Sequence, residues 1–138
     1  MSFIVYTDGA CSGNGTPSAS GGWGAVLIGV DGSRTELNNP EPIKGVTNNA
    51  MEIMAVIEAL KHIEENHGST SVEIRTDSRL VIGWMADGWK RNSNQELLAE
   101  LDTLVAKHDV IFTKVKGHSG DPMNELADRL AVKGSGQV

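Results

Sequence analysis

The sequence predicts an α/β fold in which a mixed sheet of five strands is flanked by helices. Near the N-terminus, three short apolar runs are joined by turn-forming residues, and Asp31 and Gly32 between the second and third runs are typical of a β-hairpin. Further along the chain, stretches with helical periodicity alternate with two more strand-like runs. A strand that follows a helix in this way is usually parallel to the earlier strand, which makes the sheet mixed.

The predicted elements follow one another without repeats or low-complexity segments. Strands are predicted over residues 3–8, 23–28, 33–38, 71–76 and 110–115. Helical spacing of apolar residues predicts a long helix that ends near residues 66–68 and shorter helices over residues 80–85, 97–105 and 123–132. The folded domain therefore spans residues 1–132, and residues 133–138 are expected to form a flexible C-terminal tail.

The length and composition of the chain exclude several classes of protein. Its 138 residues suffice for one domain with its own core. With 18 acidic residues against 12 Lys and Arg, the net charge of −6 excludes indiscriminate nucleic-acid binding, so such a partner needs a local patch or metal ions. The single cysteine, Cys11, excludes an internal disulfide, and neither a signal peptide nor a membrane span is recognisable. We expect a cytoplasmic protein.

Two aspartates, Asp8 and Asp77, each follow a strand-like run and lead into turn-forming residues. The carboxyl ends of neighbouring parallel strands meet at one edge of a sheet, where ligands bind in open α/β folds. Two carboxylates held there repel each other unless a cation lies between them. The pair therefore predicts a metal site, although either aspartate alone would also serve to bond the backbone of its own turn.

Two further acids on predicted helices can reach the same edge. Glu52 lies in the first turn of the long helix, where a capping box with Asn49 is the alternative interpretation. Asp128 lies among apolar residues of the last helix, where a carboxylate needs a partner, although an exposed helix face beside Arg129 would also explain it. His118, between two glycines, suits proton transfer near neutral pH, with an inconsequential surface histidine as the alternative.

Five motifs, in this order and over nearly the whole chain, resemble those of the ribonuclease H family, type 1. They are Tyr6–Asn14, Thr47–Glu52, Thr76–Ser78, Val115–Gly120 and Asn124–Asp128. The resemblance implies a ribonuclease H-like fold and a catalytic domain over residues 1–132. It also implies a metal-dependent endonuclease that cleaves the RNA strand of RNA/DNA hybrids and leaves 5′-phosphate and 3′-hydroxyl ends.

The resemblance implies that Asp8, Glu52, Asp77 and Asp128 bind two Mg²⁺ ions, with Mn²⁺ as a possible substitute. Their hard carboxylate oxygens suit these ions. In two-metal sites the ions lie about 3.5–4 Å apart, one activating water and the other stabilising the leaving oxygen. Asp8 would bridge them, Glu52 and Asp77 would serve the leaving-group ion, and Asp128 would serve the other. His118 would assist proton movement or product release, so that its loss slows turnover without abolishing it.

The resemblance also implies a set of substrate contacts. Polar groups on the RNA side would test the 2′-hydroxyl that distinguishes RNA from DNA. These residues are Cys11, Gly13, Asn14, Asn48 and Asn49. Thr47 and Asn94 would hold the DNA strand's phosphate, Arg79 stands where a glutamine is common, and Trp84 would pack against deoxyribose. Turn, cap and core roles are the alternatives for the asparagines and for Trp84.

The chain differs from many bacterial members of the family in the segments that would contact the phosphates of the substrate. Their basic protrusion is reduced to Met85–Asn94, which offers Lys90 and Arg91, and Gly45 stands where an arginine often precedes Thr47. We therefore expect intact chemistry with weaker and more salt-sensitive binding than in a protrusion-bearing member.

Rival interpretations are a DNA-acting nuclease of the same fold, a non-catalytic hybrid-binding module, and a domain whose acids are incidental. A binding module should have lost an acid, whereas all four are present. We expect an RNA/DNA hybrid as the partner, no membrane and no obligate protein partner, and a monomer.

Overall fold

The computed structural model describes residues 2–117 and 120–137. In chain order its elements are β1 (Phe3–Ser12), β2 (Ser20–Gly29), β3 (Arg34–Asn38), β4 (Ile43–Lys44), α1 (Asn48–His67), β5 (Ser71–Thr76), α2 (Arg79–Met85), α3 (Gln95–Val105), β6 (Asp109–Lys114) and α4 (Pro122–Gly134). The main sheet has the order β3-β2-β1-β5-β6, and the two-residue β4 pairs with β2. The predicted α/β fold with five ordered strands is confirmed. No helix in the described ranges is long and apolar enough to cross a lipid bilayer.

The sheet is mixed because β1 has partners of both kinds. It pairs with β2 antiparallel as far as Ser12, whereas its parallel pairing with β5 ends at Thr7 opposite Thr76. β6 continues the sheet parallel to β5. The prediction that the first strand ends at Asp8 is thus wrong, but Asp8 still lies directly beyond the parallel ladder, at the edge where Asp77 follows β5.

Helices cover both faces of the sheet. On one face, α1, α2 and α3 enclose the main core, which includes Val5, Ile53, Ile74 and Leu101. On the other face, α4 contributes Ala127 to a smaller cluster. Because side chains alternate along a strand, β1 contributes residues to the clusters on both faces. Packing on both faces therefore fixes the position of its carboxyl end.

The C-terminal end of α4 is anchored to the sheet. The helix runs to Gly134, beyond the predicted end at Val132, and Ser135 is only 2% exposed. The Ser20 hydroxyl donates a hydrogen bond to the Ser135 carbonyl at 2.7 Å, and Asn39 Nδ2 donates one to the Gly134 carbonyl at 2.9 Å. Residues 133–135 therefore belong to the folded domain, which corrects the tail boundary predicted from apolar periodicity.

Candidate functional site

Three predicted acids meet at the carboxyl edge of the sheet. Asp8, Glu52 and Asp77 each present a carboxylate oxygen, and these oxygens lie within 4.8 Å of one another. Asp8 comes from β1, Asp77 follows β5, and Glu52 comes from the beginning of α1. We call these three residues the carboxylate cluster.

Glu52 reaches the cluster because α1 lies directly against β1. A Cβ atom on Gly9 would lie 2.6 Å from the Glu52 backbone nitrogen, so only glycine permits this approach. The N-cap of α1 is Thr47, whose side chain accepts a hydrogen bond from the Ala50 N–H at 3.2 Å. The alternative of a capping box between Asn49 and Glu52 is therefore wrong, and the Glu52 carboxylate is directed to the other acids.

The fourth predicted acid, Asp128, approaches Asp8 from α4. This helix packs closely on β2, since a Cβ atom on Gly24 would lie 2.4 Å from the Ala127 carbonyl oxygen. Asp128 lies near enough to Asp8 to raise the pKa of the Asp8 carboxyl. It is not among the three acids whose oxygens lie within 4.8 Å of one another, so it lies beside the carboxylate cluster.

Burial and mutual repulsion disfavour the charged forms of Asp8 and Glu52. Burial, followed by the charge of Asp77, raises the pKa of Asp8 to about 8, although the Gly9 N–H partly opposes this shift with a hydrogen bond of 2.9 Å. Burial and then the charge of Asp8 raise the pKa of Glu52 well above its usual range. A bound cation would offset the repulsion at Asp8 and Glu52.

Glu52 gives the test of whether a metal ion fits. Its Oε1 atom is buried and has no hydrogen-bond partner within residues 2–117 and 120–137. An unpartnered buried carboxylate oxygen is costly unless a cation supplies the missing interaction. The donors are all hard oxygens, so the residues present fit Mg²⁺ or Mn²⁺.

The residues expected on the RNA side form one surface that continues from β1. Asn14 Oδ1 accepts a hydrogen bond from the Asn48 N–H at 2.8 Å, which ties the β1–β2 connection to the start of α1. Cys11 Sγ contacts the Val46 carbonyl at 3.4 Å, and Gly13 has a positive φ of 65°. Together with the half-buried Asn49, these residues lie next to the helix turn that carries Glu52.

The other expected contacts have different outcomes. Trp84 is 6% exposed within the main core, so the expectation that it packs against deoxyribose is wrong; the tryptophan that reaches the surface is Trp89, at 40% exposure. Asn94 is half-buried at the start of α3 with φ 56°, and Arg79 is exposed at the start of α2. His118 lies outside the described residues.

The connection between α2 and α3, residues 86–94, lies where the sequence predicts a reduced basic protrusion. Arg91 is held by the protein itself, because its Nη2 atom donates to Asp102 Oδ1 at 3.0 Å and to the Trp84 carbonyl at 3.2 Å. Lys90 is exposed and is therefore the basic side chain that this connection offers to a phosphate.

Comparison with known proteins identifies the family. The RNase H family model matches residues 1–136. Ribonuclease HI of Caulobacter vibrioides is 44% identical over 147 residues, covering 97% of this chain and 93% of its own length. Ribonuclease HI of Synechocystis is 43% identical over 145 residues, covering 95% of this chain and 86% of its own.

Solved structures agree with this match. RNase H1 from the halophilic archaeon Halobacterium salinarum has a TM-score of 0.77 at 30% identity and covers 99% of this chain and 98% of its own. LC11-RNase H1 in complex with an RNA/DNA hybrid, at 24% identity, shares the fold with a TM-score of 0.76 and covers 95% of this chain and 97% of its own. The family match and the acids at the motif positions show that this chain belongs to the ribonuclease H family, type 1.

Proposed function

We propose that this protein is a metal-dependent endonuclease that hydrolyses the RNA strand of RNA/DNA hybrids and leaves 5′-phosphate and 3′-hydroxyl ends. The observation that carries the proposal is the carboxylate cluster, in which Asp8 and Glu52 are buried, Asp77 is half-buried, and one oxygen of each residue lies within 4.8 Å of the others. Family membership supports it, since the relatives are named ribonuclease HI and a chain of the same fold was solved with an RNA/DNA hybrid.

We propose that Asp8, Glu52, Asp77 and Asp128 hold two Mg²⁺ ions, which Mn²⁺ can replace. Bound there, the ions would supply the positive charge that lowers the pKa of an attacking water and neutralises the leaving oxygen. Asp8 is suited to the bridging position because its pKa responds to both Asp77 and Asp128, which approach it from different elements. Glu52 and Asp77 then serve the leaving-group side, and Asp128 serves the side of the attacking water.

His118 is proposed to assist proton movement or product release. The preceding Gly117 lies against the cluster, because a Cβ atom there would be 2.8 Å from Asp77 Oδ2. This proximity of the loop supports a role for the next residue in the chain. We expect the His118→Ala variant to turn over more slowly without losing activity, measured as kcat at saturating Mg²⁺.

Selection of RNA over DNA is proposed to occur on the surface beside α1. Cys11, Gly13, Asn14, Asn48 and Asn49 would test the 2′-hydroxyl. The hydrogen bond between Asn14 and Asn48 supports this proposal, because it holds two parts of the surface in one geometry. Thr47, Arg79 and Asn94 would contact the strand backbones.

A cleavage assay tests the proposed function. End-labelled RNA/DNA hybrid is incubated with the wild-type protein in Mg²⁺, in EDTA, and with the Asp77→Asn variant. We expect cleavage of the RNA strand in Mg²⁺ alone, and loss of cleavage in the other two reactions. Asp87→Asn, an exposed aspartate in the α2–α3 connection, serves as the matched control and should cleave normally.

Other outcomes of this assay would contradict the proposal in distinct ways. Equal cleavage of duplex RNA or duplex DNA would indicate a nuclease of different specificity. Hybrid binding without Mg²⁺-dependent cleavage would indicate a non-catalytic module. We also propose that the protein acts as a monomer in the cytoplasm, and light scattering in solution tests the oligomeric state.

A further inference from the structure

Trp89 is an exposed aromatic residue that the fold holds in place. It is 40% exposed, whereas Trp84 in the main core is 6% exposed. The other large apolar side chains that are exposed among residues 2–117 and 120–137 are the aliphatic Val30 and Ile111. Single exposed apolar residues are common on protein surfaces, so exposure alone assigns no role to Trp89. Its contacts are more informative.

The indole ring of Trp89 lies directly against Gly83 of α2. A Cβ atom on Gly83 would overlap the Cδ2, Cε3 and Cζ3 atoms of the ring, so only glycine allows this contact. Because one point lies close to three atoms of the six-membered ring, Gly83 meets a face of the ring and not its edge. The Trp89 N–H also donates a hydrogen bond to the Gly83 carbonyl at 2.9 Å, and Gly88, with φ 70°, provides the turn between them.

Two basic residues accompany the ring. Lys90 follows Trp89 and is exposed, and the exposed Arg79 lies one helical turn before Gly83, about 6 Å along α2. In the part of the chain that the structure describes, neither residue forms an ion pair. Arg79 comes two residues after Asp77, so this surface begins beside the carboxylate cluster.

An aromatic ring accompanied by cations suits the backbone of a nucleic acid. In a paired duplex the faces of the bases are stacked on one another, so the sugars are the apolar groups that a ring can reach from outside, and phosphates flank each sugar. The net charge of −6 means that such a partner needs a local basic surface. A ring that is already fixed loses little conformational entropy when it makes this contact.

We propose that Trp89 packs against a sugar ring of the RNA/DNA hybrid while Arg79 and Lys90 contact phosphates of the same strand. This inference rests on the proposed function, because it describes how the same substrate is held. Gly83 is a positioning residue, since it acts through the ring of Trp89.

Two variants remove this contact in different ways. Trp89→Ala deletes the ring, whereas Gly83→Ala keeps the ring and displaces it. Alanine favours a helix more than glycine does, so Gly83→Ala does not weaken α2 through helix propensity. Val30→Ala shortens an exposed apolar side chain on the β2–β3 connection, at the opposite end of the sheet, and is the matched control.

Cleavage of the hybrid at several salt concentrations measures KM and kcat for these variants. We expect Trp89→Ala and Gly83→Ala to raise KM about fivefold, as for the loss of one apolar contact, with kcat unchanged. The slope of log KM against log salt should keep its wild-type value, because an apolar contact releases no counterions. Val30→Ala should have the wild-type KM. A wild-type KM in either Trp89→Ala or Gly83→Ala would overturn the inference.

Tryptophan fluorescence gives a readout that does not depend on cleavage, and it decides the matter if Trp89→Ala or Gly83→Ala fails to fold. The Asp77→Asn variant is titrated with hybrid, with and without the additional Trp89→Phe substitution. We expect the hybrid to change the emission of Asp77→Asn, and Trp89→Phe to remove most of this change, because Trp23 and Trp84 are buried. The inference is wrong if the change persists in the Trp89→Phe protein.

Modified hybrids identify the strand whose sugar lies on Trp89. 2′-O-methyl groups, placed in one strand at a time, enlarge its sugars, and the strand in contact with Trp89 should then give a smaller emission change at saturation. If neither strand's modification alters the emission change, the sugar contact is wrong.

The same experiments distinguish this inference from the proposed function. If the wild-type protein does not cleave the hybrid in Mg²⁺ but the emission change depends on Trp89, only the proposed activity is wrong. If the hybrid is cleaved with a KM that does not respond to Trp89→Ala, only the contact at Trp89 is wrong.

Discussion

The carboxylate cluster and the α2–α3 connection are built in opposite ways. In the cluster, acids are buried close together, and one oxygen of Glu52 lacks a hydrogen-bond partner among the described residues. In residues 86–94, the side chains are mostly exposed, and the Arg91 guanidinium is already paired with Asp102. The first region thus brings like charges together, whereas the second pairs a basic side chain with an acidic one.

The two regions differ in how strongly the rest of the fold constrains them. The cluster depends on β1, β5 and the start of α1, so its geometry cannot change without disturbing the core. The connection is a surface segment, and such segments tolerate changes in length. We therefore expect the length of this connection to vary more readily than the geometry of the carboxylate cluster.

The largest expected effect breaks the cluster itself. We expect Glu52→Gln to lower hybrid cleavage about a thousandfold, because one charged oxygen donor to the metal ions is lost. The variant should also resist urea better than the wild type in EDTA, since burial disfavours the Glu52 charge. Glu58→Gln, a partly exposed glutamate on the same helix that pairs with Lys61, is the control and should retain full activity.

The next effect concerns the pH dependence of stability without metal. The pKa of Asp8 is about 8 in the folded protein against an ordinary value of 3.8. Between these pH values the folded state binds more protons than the unfolded state, so the free energy of unfolding falls as pH rises from about 4 to 8. We expect Asp8→Asn to reduce this dependence and to be more stable at pH 8 by about 2 kcal/mol.

Urea unfolding in EDTA at several pH values measures this effect. Identical pH profiles for Asp8→Asn and the wild type would contradict the assigned pKa. Asp31→Asn is a useful control because the pKa of the exposed Asp31 is lowered by its hydrogen bonds to Ser33, which is the opposite direction. Its variant should retain the fall in stability toward pH 8.

The smallest effect concerns the connection. We expect Lys90→Met to raise KM about threefold and to reduce the slope of log KM against log salt by about 1, as for one lost phosphate contact. Arg91→Met should instead lower the free energy of unfolding and leave this slope unchanged, because Arg91 pairs with Asp102. If Arg91→Met changes the salt slope as much as Lys90→Met, the assignment of Arg91 to the fold is wrong.

The sequence predicted the parts of the site that depend on local pattern. Asp8 and Asp77 were recognisable because strand runs lead into turn residues at both positions. The true end of β1 could not be predicted from the sequence. Residues beyond Asp8 pair with β2, but the glycines in this stretch are typical of a turn rather than a strand. Glu52 also required three-dimensional information, because its spacing from Asn49 permitted a capping box and the structure shows that Thr47 is the N-cap instead.

Other features depended on contacts that no local pattern records. Trp84 and Trp89 look alike in the sequence, yet one lies in the core and the other reaches the surface. Their difference arises from how α2 packs, which the amino-acid types alone do not specify. The hydrogen bond from Arg75 to the Tyr6 hydroxyl was also unpredicted, because the two residues become partners only through the register of β1 and β5.

The anchored end of α4 has a practical consequence for protein engineering. The Gly134 and Ser135 carbonyls accept hydrogen bonds from Asn39 and Ser20, so cutting the chain after Val132 would remove both acceptors. The helix that carries Asp128 would then be held less firmly at that end. A fusion partner or affinity tag is therefore better attached after residue 138 through a linker, with Gly134 and Ser135 left intact.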